Sequence, residues 1–204
     1  MKIFVPYTVI LPETQACLEP YEYIPVKMVG DDDYHNYFTE RWQNGERFIN
    51  CEHDTIFHNG AIEELEKCPE EWCAFGALGQ IQEKRNFVEG ATATFALIKF
   101  ESSFITKCKN VWKERESSIA EVTRIATERI IEFKQNYKLN GDDVDQAIGK
   151  TIGPATWKWC DSWLYEYTYP KGIICHQHYP NVINANQRYW GADEDICSVY
   201  QDLS

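Results

Sequence analysis

The sequence predicts a single α/β domain, and three observations point to it. Short runs rich in β-branched and aromatic residues, such as KIFVPYTVI (2–10) and FALIKF (95–100), alternate with stretches whose apolar residues fall at helical spacing. At 204 residues the chain is long enough to bury a sizeable core within one domain, residues 1–204. With 44% hydrophobic and 14% aromatic residues it is too apolar to stay disordered.

Taken in order, residues 2–10 are the first strand, with Pro6 near its end, and Pro12 opens a short helix. Residues 23–29 (YIPVKMV) form a second strand, marked by Pro25 as lying near an edge. Tyr34, Tyr37, Phe38 and Trp42 are spaced to give a helix one aromatic face. Residues 47–51 (RFINC) are a central strand, and 59–68 a compact helix stopped by Pro69. A short buried strand over 72–76 leads into residues 77–93, which have two glycines, mixed charge and no period and read as a long loop able to close as a lid. A strand at 95–100 and a helix at 104–111 follow. Residues 116–137 carry the longest amphipathic pattern, and 143–150 add a helical turn or two. An aromatic helix over 162–169 and a last strand over 172–178 precede a polar, irregular tail after Pro180.

A net charge of −12 and a pI near 4.9 disfavour non-specific binding to nucleic acid or anionic membrane. No apolar run approaches the ~18 residues a membrane span needs. The first residues carry one lysine and no small-residue cleavage site, so they read as a strand and not a signal peptide. Eight scattered cysteines without a C-x-x-C pair read as reduced, buried thiols, which with the foregoing suggests a cytoplasmic protein.

Three groups of residues could carry chemistry. Glu52-His53-Asp54 follows the central strand directly, and in open α/β sheets ligands gather at the carboxyl ends of strands. Carboxylates at 52 and 54 can reach one hard cation such as Mg²⁺, Ca²⁺ or Mn²⁺. His53 would point the other way from an extended backbone and pack or hydrogen-bond. His176 and His178 share one face of the last strand. Zinc wants three or four ligands, and no further histidine pair is spaced to supply them, so assistance to a cation at Glu52 and Asp54 is the better use. Asp161 opens an aromatic helix among Trp157, Trp159 and Trp163, where partial desolvation would raise its pKa and suit it to general-base work; simple helix capping is the alternative. The phosphate-binding, dinucleotide-binding and α/β-hydrolase glycine motifs are all missing.

The order of these pieces resembles small nucleotide-sugar glycosyltransferases of the GT-A fold (glycosyltransferase 2-like). The resemblance runs through Val5-Pro6-Tyr7-Thr8, Leu11-Pro12-Glu13-Thr14, Tyr34 with Trp42 and Gly45, and residues 48–54. It resumes in residues 68–75 and in Trp159-x-Asp161-x-x-Leu164 followed by 172–180. It implies a Rossmann-related, mixed but mainly parallel sheet flanked by helices, with residues ~113–155 a helical insertion. It further implies that Pro6, Tyr7 and Thr8, with Glu52 and His53, line a nucleotide pocket. Glu52-His53-Asp54 stands where the family has its D-x-D metal motif, with Asp54 a direct ligand of Mn²⁺ or Mg²⁺. Asp161 corresponds to the base of inverting members, and the strand bearing His176 and His178 approaches metal and diphosphate.

Glu52 departs from the usual aspartate and lengthens the reach; Val182-Ile183-Asn184 stands where a late metal-binding histidine is often found. The implied activity is metal-dependent transfer of a sugar from a nucleoside-diphosphate sugar to a glycan, lipid, protein or modified nucleic-acid base. For the last of these, Lys107, Lys109, Lys113 and Arg115 make a modest basic cluster. A non-catalytic sugar-nucleotide-binding or protein-interaction module and a metal-dependent phosphoester hydrolase are the rival readings.

Overall fold

The computed structural model describes residues 1–30, 32–79, 94–137 and 160–184. Most of the expected 77–93 loop, the 143–150 turn, Trp157, Trp159 and the tail beyond 184 lie outside the described residues. The architecture is mixed α/β: one seven-stranded sheet with helices on both faces.

In chain order the elements are β1 (Lys2–Tyr7), α1 (Pro12–Leu18), β2 (Tyr23–Lys27), α2 (Asp33–Asn44), β3 (Phe48–Cys51), β4 (Thr55–Ile56) and α3 (Ala61–Lys67). They continue with β5 (Trp72–Gly79), β6 (Leu97–Phe100), α4 (Ser102–Lys107), α5 (Val111–Tyr137), α6 (Cys160–Thr168) and β7 (His176–Asn184). The strands lie in the order β2-β1-β3-β6-β5-β7-β4. β1 runs parallel to β2 and β3, and β5 to β7, whereas β3–β6, β5–β6 and β4–β7 are antiparallel. The sheet is therefore evenly mixed, which corrects the mainly parallel expectation. Reversed β6 sits between β3 and β5 and runs antiparallel to both.

Alternation sorts the two faces. Phe4, Phe48, Trp72, Ala74, Ile98 and Phe100 meet α2, α4, the start of α5 and α6 through Tyr37, Phe38, Trp42, Phe104, Trp112 and Leu164. Ile3, Val5, Ile49, Cys51, Cys73, Phe75 and Leu97 meet α1 and α3 through Leu18, Ala61, Ile62 and Leu65. The first face is an aromatic core, with Phe38 and Phe95 centroids 4.5 Å apart and Trp72 stacked on Phe104 at 4.8 Å. Such pairs add roughly 0.5–1.5 kcal/mol each beyond area burial.

Helices α1 and α2 take opposite faces because the chain leaves β1 toward β2 on one side and returns to β3 on the other. That reversal makes the gap between β1 and β3 a topological switch point, the place where ligands bind in open α/β sheets. Pairing of β1 with β3 stops at Phe4–Asn50 although β1 continues to Tyr7. Pro6, with no N–H to give, falls beyond that last pair.

Several boundaries differ from expectation. Strand β4 has only two residues, too short to leave a period in the sequence. β7 continues through Pro180 to Asn184 because a bulge absorbs the proline: Phe75 pairs with His178, but Ala77 pairs with Val182. The amphipathic helix starts at Val111 and not at residue 116, anchored by buried Val111 and Trp112.

Candidate functional site: carboxylates at the switch point

Glu52-His53-Asp54-Thr55 is a β-turn in which the Thr55 N–H donates to the Glu52 carbonyl at 3.1 Å. Three further bonds pin it. The Glu52 N–H (2.8 Å) and the Thr55 hydroxyl (3.1 Å) both donate to the Ala96 carbonyl, and the Leu11 N–H donates to the His53 carbonyl at 3.0 Å. That last bond ties the segment after β1 to the acidic turn, and Pro6, Tyr7 and Thr8 lie at the carboxyl end of β1 leading into that segment. His53 is buried in the turn.

Helix α2 reads β3 from the aromatic face. The Tyr37 hydroxyl donates to Asn50 Oδ1 at 3.0 Å, and the Tyr34 hydroxyl donates to Glu52 Oε1 at 2.5 Å. Asn50, fully buried, also donates from Nδ2 to the Phe95 carbonyl at 2.6 Å.

Asp161, in the first turn of α6, comes from much later in the chain, yet its charge and that of Asp54 both act on Glu52. Burial above all, then Asp54 and Asp161, push the Glu52 carboxyl up to about 8, against the lowering effect of Tyr34. Among the described residues Glu52 has no ion-pair partner. Burial also raises Asp161, opposed by the Ser162 N–H it accepts at 2.7 Å and by Arg115. Asp161 thus accepts a first-turn N–H of its helix while its charge acts on Glu52. Glu52 is half-buried and Asp54 only 2% exposed, so Glu52 is the more accessible of the pair. The neighbouring Cys160 thiol is held up at about 12 by burial and is inert as a nucleophile near neutrality.

Arg115 does not share a basic face with its neighbours. It is buried, donating from Nη1 to His35 Nδ1 at 3.2 Å, while Lys107 pairs with Glu71 and Lys109 and Lys113 are exposed. With Nδ1 accepting, His35 Nε2 is the donor toward Glu116 at 3.2 Å, and burial lowers its pKa. A helical pattern alone did not distinguish this inward arginine from the solvated lysines.

His176 and His178 stand elsewhere. They pair in register with Cys73 and Phe75, which align through Lys99 and Leu97 with Ile49 and Cys51. Their side chains therefore occupy the α1/α3 face, opposite Asn50 and Glu52, and three strands away, ~14 Å at ordinary strand spacing. The structure does not bring them to Glu52 and Asp54. It brings them to Cys68: one ligating atom from each of Cys68, His176 and His178 lies within 4.8 Å of the others. Glu52, Asp54 and Asp161 interact without closing to that separation. Cys68 left no signal in the sequence, because it belongs to no C-x-x-C pair and lies far from both histidines in the chain. The seven described cysteines are free thiols. No described helix is long and apolar enough to cross a membrane.

In comparisons with known proteins, no family model, no curated protein and no solved structure matches the chain.

Proposed function

We propose that the chain is a nucleotide-sugar glycosyltransferase with a GT-A-like domain, taking a sugar from a nucleoside-diphosphate donor. The observation that carries this reading is the meeting of Glu52 and Asp54, at the β1/β3 switch point, with Asp161 from the start of α6. A hard cation fits this donor set. Glu52 has a raised proton affinity, from its burial first and then from the charges of Asp54 and Asp161, and Mg²⁺ is ordinarily held by one or two carboxylates plus substrate phosphates. Bound there by Glu52 and Asp54, Mg²⁺ or Mn²⁺ would stabilise charge on the departing diphosphate, a contact worth typically ~3 kcal/mol or more.

The chain's own residues do the rest. Tyr34 holds Glu52 by its hydroxyl, fixing which carboxylate oxygen remains open to the gap. Pro6, Tyr7 and Thr8 border the gap as its nucleotide wall, with His53 packed beneath. Asp161, oriented by the Ser162 N–H and raised by burial, accepts the proton of an attacking hydroxyl at its carboxylate.

The test is product analysis. Nucleotide sugars incubated with the chain, Mn²⁺ and a panel of glycan, lipid and peptide acceptors should yield nucleoside diphosphate with a sugar adduct. Free sugar in place of adduct would indicate hydrolysis, and tight donor binding without turnover a binding module.

A further inference from the structure

We propose that Cys68, His176 and His178 form a second cation site, one for a single thiophilic divalent ion such as Zn²⁺. The three donors belong to the end of α3 and the start of β7, and their ligating atoms already lie within 4.8 Å of one another. Tetrahedral zinc, at ~2.3 Å to sulfur and ~2.0–2.1 Å to nitrogen, needs donor separations of ~3.3–3.6 Å. Side-chain rotation of about an ångström closes the difference.

Two further observations point to a ligand there. His178 Nε2 is buried and has no hydrogen-bond partner, an arrangement that costs free energy unless something binds it. The backbone of Cys68 is fixed at both ends: its N–H donates to the Glu64 carbonyl at 3.0 Å, and its carbonyl accepts from Lys99 Nζ at 2.6 Å. The thiol is thus held on a rigid support, while the rings of His176 and His178 stand nearly perpendicular, 4.9 Å apart.

The donor chemistry selects the metal. One thiolate and two imidazoles suit Zn²⁺ and its surrogate Co²⁺, whereas Mg²⁺ and Mn²⁺ prefer oxygen. Binding releases the Cys68 proton to solvent and forms a metal–sulfur bond with no change of oxidation state. The buried Lys99 ammonium beside the site opposes an added cation, and the thiolate charge offsets that opposition. Three protein donors leave the fourth tetrahedral position for water. Such an ion would tie the end of α3 to β7 on the face opposite Glu52.

The test is cobalt titration of the chelator-treated full chain, read by absorption. One equivalent of Co²⁺ should give a sulfur-to-cobalt charge-transfer band that Zn²⁺ removes. The band should vanish in Cys68→Ser and persist in Glu52→Gln and Cys73→Ser. His176 is exposed, so His176→Ala is expected to keep the fold, confirmed by circular dichroism. It should weaken Co²⁺ binding at least ~10-fold, the scale of losing even an outer-shell partner. A wild-type protein with no charge-transfer band, a band that survives Cys68→Ser, or unchanged affinity in His176→Ala would each overturn the proposal.

Discussion

On one face of the sheet β3 turns Asn50 and Glu52 toward two tyrosines of α2; on the other, β5 and β7 turn Cys73, His176 and His178 toward α3 and Cys68. The first cluster is all oxygen and lies where parallel strands part at a switch point. The second holds sulfur and nitrogen and lies where β7 pairs with β5. Sheet alternation and three strands of lateral distance together keep a hard donor set apart from a soft one. The lesson is that ligand type alone did not say which residues cooperate: the side of the sheet did.

The largest effects should fall on the carboxylate face. Asp161→Asn is expected to lower sugar-transfer turnover ~10²–10⁴-fold with little change in donor KM, as for loss of a general base. Glu52→Gln should lower it ~10²–10³-fold through weaker charge stabilisation. His178→Ala should leave transfer within a few-fold of wild type. If it instead matched Glu52→Gln, the two faces would be one site and the comparison would break.

A smaller effect tests the scaffold under the carboxylates. Tyr37→Phe removes the donor to buried Asn50 Oδ1 and should cost ~1–3 kcal/mol in denaturant unfolding. An unchanged midpoint would mean that α2 does not hold β3 through this bond.

The smallest effect sharpens the electrostatics. The Glu52 pKa is raised to about 8 in the folded chain, from an ordinary value of 4.5. Between those values the folded state keeps a proton that the unfolded state has released, so stability falls as pH rises through the window. Glu52→Gln removes that titration. Its melting temperature should match wild type near the low end and exceed it above the high end. Mn²⁺ should narrow the gap by stabilising the ionised wild type. A gap that did not vary with pH would contradict the burial of Glu52 beside Asp54 and Asp161.

Much of this arrangement was legible in the sequence, and the illegible part has physical causes. The aromatic spacing of α2, the edge position of proline-marked β2 and the placement of Glu52-His53-Asp54 after β3 follow from local patterns. So does the shared face of His176 and His178, since alternation is a property of one strand. Which face that was depended on strand order, and reversed β6 has no local signature. The proximity of Asp161 to Glu52 and of Cys68 to His178 is likewise set by topology. Pro180 misled for a different reason: a bulge let β7 run past a residue that ordinarily ends a strand.

The central claim is that Glu52 and Asp54 jointly hold a cation that grips a pyrophosphate. Calorimetric titration of UDP and GDP with and without Mn²⁺ tests it most directly. The account predicts that Mn²⁺ tightens one of these nucleotides at least ~10-fold in wild type and in Cys68→Ser, and not in Glu52→Gln. Equal affinity with and without Mn²⁺, or full tightening retained in Glu52→Gln, would contradict it.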